Sequence, residues 1–141
     1  MKRAAAALVS LLGCVSGGEP AALPEPDRAL FEALAEPVLL ARCASLACHG
    51  TERRRLRLFA PERLREDPRR SHLLEPLTAS EHQRNYHSAR AFAEGAPSAS
   101  QSLLIAKPLG LAGHLGGAVF TTAEDPECDA LLRWLRSGAL P

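Results

Sequence analysis

Apolar residues recur along the chain in short bursts at helical spacing, and proline or glycine closes each burst. Asp27, after Pro26, is placed to cap a first helix whose apolar face would carry Leu30, Phe31 and Leu34. Pro37 is expected to break or kink it, with Val38 to Cys43 beginning a further turn or two. From 51 to 70 the pattern loses its period. The alternation Leu56, Leu58, Phe59 is too brief for a strand and reads as irregular. Thr78 and Glu81 form a capping box, which predicts a helix from Ala79 to about Ala93. Its inner face would carry His82, Tyr86, Ala89 and Ala93, with Phe92 alongside and Gly95 as the stop. A short helix over 101–106 should halt before Pro108. Residues 108–117 hold four glycines and must be a loop. Asp125 and Pro126 open a last helix that buries Leu131, Leu132, Trp134 and Leu135 and ends at Gly138. Five pieces are helical and none is a strand, so the fold class expected is all-α.

Composition supports that class. Val, Ile and Thr together number nine in 141 residues, too few for a sandwich or barrel. Leu and Ala dominate. There are 17 Lys+Arg against 16 Asp+Glu, which gives neither a basic nucleic-acid binder nor an acidic disordered tail. Six aromatics are a thin supply of large core groups.

The N-terminus reads as an address. Lys2 and Arg3 precede an apolar run from Ala4 to Leu12 that is too short to cross a bilayer. The run ends in Leu11-Leu12-Gly13-Cys14, which resembles a bacterial lipobox. The resemblance implies a signal peptide over 1–13, acylation of Cys14, and a lipid bilayer as one partner. No Asp follows Cys14, which favours the outer over the inner membrane. The expected place is the cell envelope, facing the periplasm. An ordinary signal with an incidental Cys is the alternative. Residues 14–26, rich in Gly, Pro and Ala, read as the lipidated Cys and a flexible tether; 27–141 would be one domain.

The chemistry concentrates at Cys43-Ala-Ser-Leu-Ala-Cys48-His49. A haem c is attached by two thioethers, and the His beside the second Cys becomes an axial iron ligand; the usual signature is C-x-x-C-H. Here four residues separate the cysteines. Two other readings remain open: a Cys43–Cys48 disulfide, which an exported compartment permits, and a zinc site using Cys43, Cys48, His49 and another His.

Three stretches, "LFEALAEPVLLARCASLACHG", "SLLIAKPLG…GHLGG" and "DPECDALLRWLRSG", together resemble a family of small bacterial cytochrome c-like lipoproteins over residues 29–138. The departure is the C-x-x-x-x-C-H spacing. The resemblance implies a class I cytochrome c-like fold, with short helices packed around one covalent haem c. It implies an electron carrier rather than an enzyme, with periplasmic or membrane redox proteins as partners. A monomer is expected, with no nucleic acid bound. The alternatives are a haem-free structural lipoprotein, and a haem sensor or peroxidase-like protein with an open distal site.

The sixth iron ligand follows by elimination. The one methionine, Met1, leaves with the signal. His72, His82, His87 and His114 remain. His114 sits between Gly113 and Gly116-Gly117, where backbone can approach a flat macrocycle closely, and it matches the family's H-x-G-G loop. It is the expected distal ligand; His82 is the runner-up. Bis-His ligation would set a lower potential than His/Met and leave iron no free position. The Arg-rich stretch 53–70 reads as a solvated face balanced by Glu52, Glu62, Glu66 and Asp67, or alternatively as a docking patch or a set of contacts to haem carboxylates. Cys128 should be a small buried apolar group.

Overall fold

The computed structural model describes residues 25–138. Cys14, the signal over 1–13 and most of the tether lie outside them. The described chain is all-helical, with no strand. Helix α1 (Arg28–Leu30) runs through a π-helical stretch, Phe31–Ala35, into α2 (Glu36–Arg42). Helix α3 is Ala79–Ala91, α4 is Leu103–Ala106, and α5 is Pro126–Arg136. Single 3-10 turns occupy Pro68–Arg70 and Ala99–Gln101.

The caps explain most boundaries. Asp27 accepts a hydrogen bond from the Leu30 amide at 2.8 Å. Thr78 and Glu81 make the full reciprocal box at the start of α3. Asp125 accepts from Glu127, with Pro126 in the first turn of α5. Gly95, at φ +74°, closes the turn after α3.

Pro37 neither breaks nor ends the first helix. The Glu36 amide reaches back to the Phe31 carbonyl, five residues away, and this wider π turn precedes Pro37 at the start of α2. Pro37 has no N–H to donate, and the altered register accommodates it where a regular α-turn would be crowded. The extra residue also rotates the buried face. It is Phe31, Ala35 and Leu39, while Leu30 is exposed and Leu34 only half-buried.

The core joins α1–α2, α3 and α5. Phe31 lies 5.5 Å from Tyr86 and 4.9 Å from Trp134, ring centre to ring centre. Leu131, Leu132, Leu135 and the fully buried Cys128 complete the α5 face. Five of the six aromatics are buried, and only Phe92 is half-buried. Three of them, Phe31, Tyr86 and Trp134, meet ring on ring at the centre of the core. Tyr86 donates from its hydroxyl to the Pro26 carbonyl at 2.6 Å, and Arg90 pairs with Glu25. The end of the expected tether is thus docked on the domain.

The inner face of α3 is more polar than its pattern suggested. Glu81 and Asn85 are buried with Tyr86 and Ala89, while His82 is only half-buried. Asn85 brackets Phe59, accepting from its amide at 2.7 Å and donating to its carbonyl at 2.9 Å. The irregular segment 56–60 is held to α3 in this way.

The Arg-rich stretch is not one solvated face. Arg65 is 2% exposed and forms two parallel hydrogen bonds to Glu81, each 2.9 Å. It also donates to the Glu75 and Pro76 carbonyls. Burial alone would raise the Glu81 carboxyl. Hydrogen bonds from Arg65 and from the Thr78 and Glu66 amides, with the Arg65 charge, outweigh it and hold the group at about 2.

Candidate cofactor site

Two loops make the site. The first leaves α2 at Cys43 and coils tightly: His49 N–H donates to the Cys43 carbonyl at 3.0 Å, and Gly50 N–H to the Ser45 carbonyl at 2.9 Å. A side chain at Gly50 would put its Cβ 2.2 Å from the Ala44 carbonyl oxygen, so the coil admits only glycine there. The chain then returns through Leu56 and Leu58, whose amide bonds the His49 carbonyl at 2.9 Å.

The second loop follows α4. The Val119 and Phe120 amides both reach the Pro108 carbonyl, at 2.7 and 3.1 Å, and close it. Lys107 donates through Nζ to the Gly113 carbonyl at 2.6 Å. Gly117 turns the backbone at φ +72°.

Each loop presents one histidine, and both are anchored alike. His49 Nδ1 lies 3.0 Å from the Leu56 carbonyl oxygen, and His114 Nδ1 lies 2.8 Å from that of Gly117. A carbonyl can only accept, so in each neutral ring Nδ1 carries the proton and Nε2 keeps its lone pair. This is how ligating imidazoles are oriented when a second group fixes the tautomer. Burial, then the neighbouring His114 and Arg54, push the His49 imidazolium below its ordinary range, against the Leu56 hydrogen bond.

The two rings are within 12° of parallel, with centroids 6.1 Å apart. Two imidazoles bound on opposite sides of one metal, at metal–nitrogen distances of about 2 Å, bring their centroids about 6 Å apart. The pair therefore fits the spacing required to share one ion. A cleft of about 330 Å³ separates the loops, lined among others by Cys48, His49, Leu56, Phe92, Lys107 and His114. Arg54 and Arg55 also reach it.

The structure brings Cys48, His49 and His114 together. Cys43 sits back at the end of α2, packed half-buried against the core. Burial, then the neighbouring Cys48, push its thiol up to about 11, against the pull of Arg42. Cys43, Cys48 and Cys128 are all free thiols. Among the described residues no group of three or more His, Cys, Asp or Glu is arranged to hold a metal, so the mixed zinc set does not assemble. His82 is engaged elsewhere: its Nδ1 meets Glu36 at 2.6 Å, and it does not line the cleft. His72 and His87 are exposed.

Sequence reasoning missed Lys107 at this cleft; Arg54 and Arg55, which also reach it, belong to the stretch offered as contacts to haem carboxylates. It also missed the Leu56 and Gly117 carbonyls that orient the rings. The carbonyls carry no sequence signal. Lys107 does, as a basic residue close in sequence to a candidate histidine.

Comparison with family models, with curated proteins and with solved structures finds no match to this chain. The class the fold defines is an all-helical domain with a paired-histidine cleft between two loops.

Proposed function

We propose that the protein is a haem c-binding electron-transfer lipoprotein of the bacterial envelope, held to the bilayer through acylated Cys14. The observation that carries this reading is the His49–His114 pair. The two rings are parallel within 12° and 6.1 Å apart, each held by Nδ1 with Nε2 left over, and Cys48 stands beside His49. His49 is the proximal iron ligand and His114 the distal one. Cys48, on the cleft lining, would supply one thioether; Cys43 would supply the second only on leaving its packed place at the end of α2. A haem held there by His49 and His114 would supply one-electron chemistry.

The chain's own residues do the rest. The Leu56 and Gly117 carbonyls accept from Nδ1, fix both rings in rotation and leave Nε2 as the nitrogen free to ligate. Leu56 and Phe92 give the cleft apolar walls. Lys107 on the cleft lining brings a positive charge suited to a haem carboxylate, and the exposed Arg54 and Arg55 add to the positive field at its rim. Electrons would pass to and from periplasmic or membrane redox partners.

The test is one spectrum. Protein matured in a periplasm with a haem c attachment system should be red, show a Soret band, and keep its colour in the protein fraction after acid-acetone extraction. A colourless product from the same cells overturns the reading. If it also carried one Cys43–Cys48 disulfide, the structural lipoprotein would take its place.

A further inference from the structure

The arginines of this chain fall into two groups. Half of the described ones pair with a carboxylate, among them Arg42 with Glu127, Arg65 with Glu81, Arg70 with Glu75 and Arg84 with Glu66. Arg53, Arg54 and Arg55 are consecutive and exposed, and no carboxylate among the described residues pairs with any of them. They line a second, open cleft of about 670 Å³ together with Arg57, Arg84 and Phe59, with Glu52 as the acid on its lining. The Nε of Arg57 is buried without a partner.

Position gives this cluster its meaning. Arg54 and Arg55 line both this cleft and the histidine cleft. Two leucines flank the ridge: Leu46 shares a shallow depression with Arg53 and Arg54, and Leu115 lines the histidine cleft. They are 64% and 96% exposed. Exposed apolar side chains beside unpaired arginines have the composition of a protein-docking patch. The charge is spread over adjoining depressions and does not converge on one point, which suits an extended acidic surface better than a small anion.

The geometry points to the Arg53–Arg54–Arg55 ridge, with Leu46 and Leu115, as the docking surface for a protein partner that presents a carboxylate-rich patch. That such docking serves electron transfer rests on the proposed haem reading; the binding itself does not. Like charges held close together at the mouth of the histidine cleft steer an acidic partner onto it and set its orientation.

Short poly-L-glutamate serves as the probe, titrated into the matured protein at low salt and followed by amide NMR shifts. Saturable binding is expected, with shifts confined to residues 46–57, 84–88 and the neighbourhood of Leu115. Raising the salt to about 0.2 M should weaken it roughly tenfold, since the Debye length then falls to below about 8 Å. The combined change Arg53→Gln, Arg54→Gln and Arg55→Gln should also weaken it roughly tenfold, and Arg54→Gln alone roughly threefold. Arg133→Gln with Arg136→Gln, exposed and unpaired arginines that line neither cleft, should leave it unchanged. Absence of binding, equal loss in the α5 variants, or inorganic phosphate binding as tightly with the same shifts would each overturn the proposal. The Soret band of the same sample reports separately. Colourless protein that binds at the ridge retains the surface and loses electron transfer. Red protein that binds nothing loses the surface alone.

Discussion

The helical core and the two site loops are built by different means. In the core, side chains meet side chains: Phe31, Tyr86 and Trp134 pack ring on ring, and Arg65 is locked to Glu81. In the site, side chains meet backbone: His49 to Leu56, His114 to Gly117, Lys107 to Gly113. The core's contacts are buried and many-sided. The site's are single hydrogen bonds on half-exposed residues, held in place by glycines. The difference assigns the two regions separate duties. The core makes the fold stable, and the loops hold two imidazoles at a set spacing while contributing little to that stability.

The largest expected effect is therefore in the core, at the buried pair. Glu81→Gln leaves Arg65 charged, 2% exposed and without its counter-charge, and also weakens the α3 capping box. Breaking such a pair on one side costs about 3–5 kcal/mol. The same carboxylate makes stability depend on acid. Its folded value, about 2, lies below the ordinary 4.5. Its contribution is complete above about pH 4.5 and is lost as pH falls through the folded value near 2. Denaturant melts at neutral pH and at pH 3 should show wild type losing stability across that interval and Glu81→Gln losing less. Equal acid sensitivity in the two proteins would remove the pair from its central place.

Both regions were unevenly legible. Caps are local, so Asp27, Thr78–Glu81 and Asp125 located three helix starts from the sequence alone. The stripe on α5 was equally plain, because Leu131, Leu132, Trp134 and Leu135 follow one helical face. The first helix was misread in phase, since a π turn ahead of Pro37 shifts the face by a residue and no composition signal marks it. Arg65 was read with its exposed neighbours because its partner, Glu81, is sixteen residues away. At the site, His49 and His114 stood out by their motifs and glycines. Cys43, one of the same motif, lies off the cleft that Cys48 lines. The second-cleft arginines were visible as a charge run open to a docking role; which of them lacked carboxylate partners needed the fold.

A smaller effect, confined to the first loop, is expected at Gly50→Ala. The added Cβ would meet the Ala44 carbonyl oxygen at 2.2 Å, and that atom belongs to backbone, so the coil from Cys43 to Gly50 must open. Crowding of this kind costs about 1–3 kcal/mol. The disturbance falls between Cys48 and His49 on one side and the Leu56 carbonyl on the other. Less haem should therefore be incorporated per chain, read as the ratio of Soret to protein absorbance, while helix content by circular dichroism is kept. Full incorporation with unchanged melting would show that the loop has slack that the tight coil conceals.

The smallest effect on stability should come from His114→Ala, and it is the sharpest test of the division between core and loops. His114 is half-exposed and contributes one hydrogen bond to its own loop. Surface changes of that kind fall within about 0.5 kcal/mol. In haem-free protein the melt should be almost unmoved. In haem-loaded protein the same change removes one of the two Nε2 lone pairs, so the spectrum should pass from low spin to high spin, or become reactive to carbon monoxide. A low-spin spectrum that survives would transfer the distal role to His82, and His82 would first have to leave Glu36, 2.6 Å away. A large loss of stability without haem would instead make the second loop part of the core, and the two regions would no longer be separable.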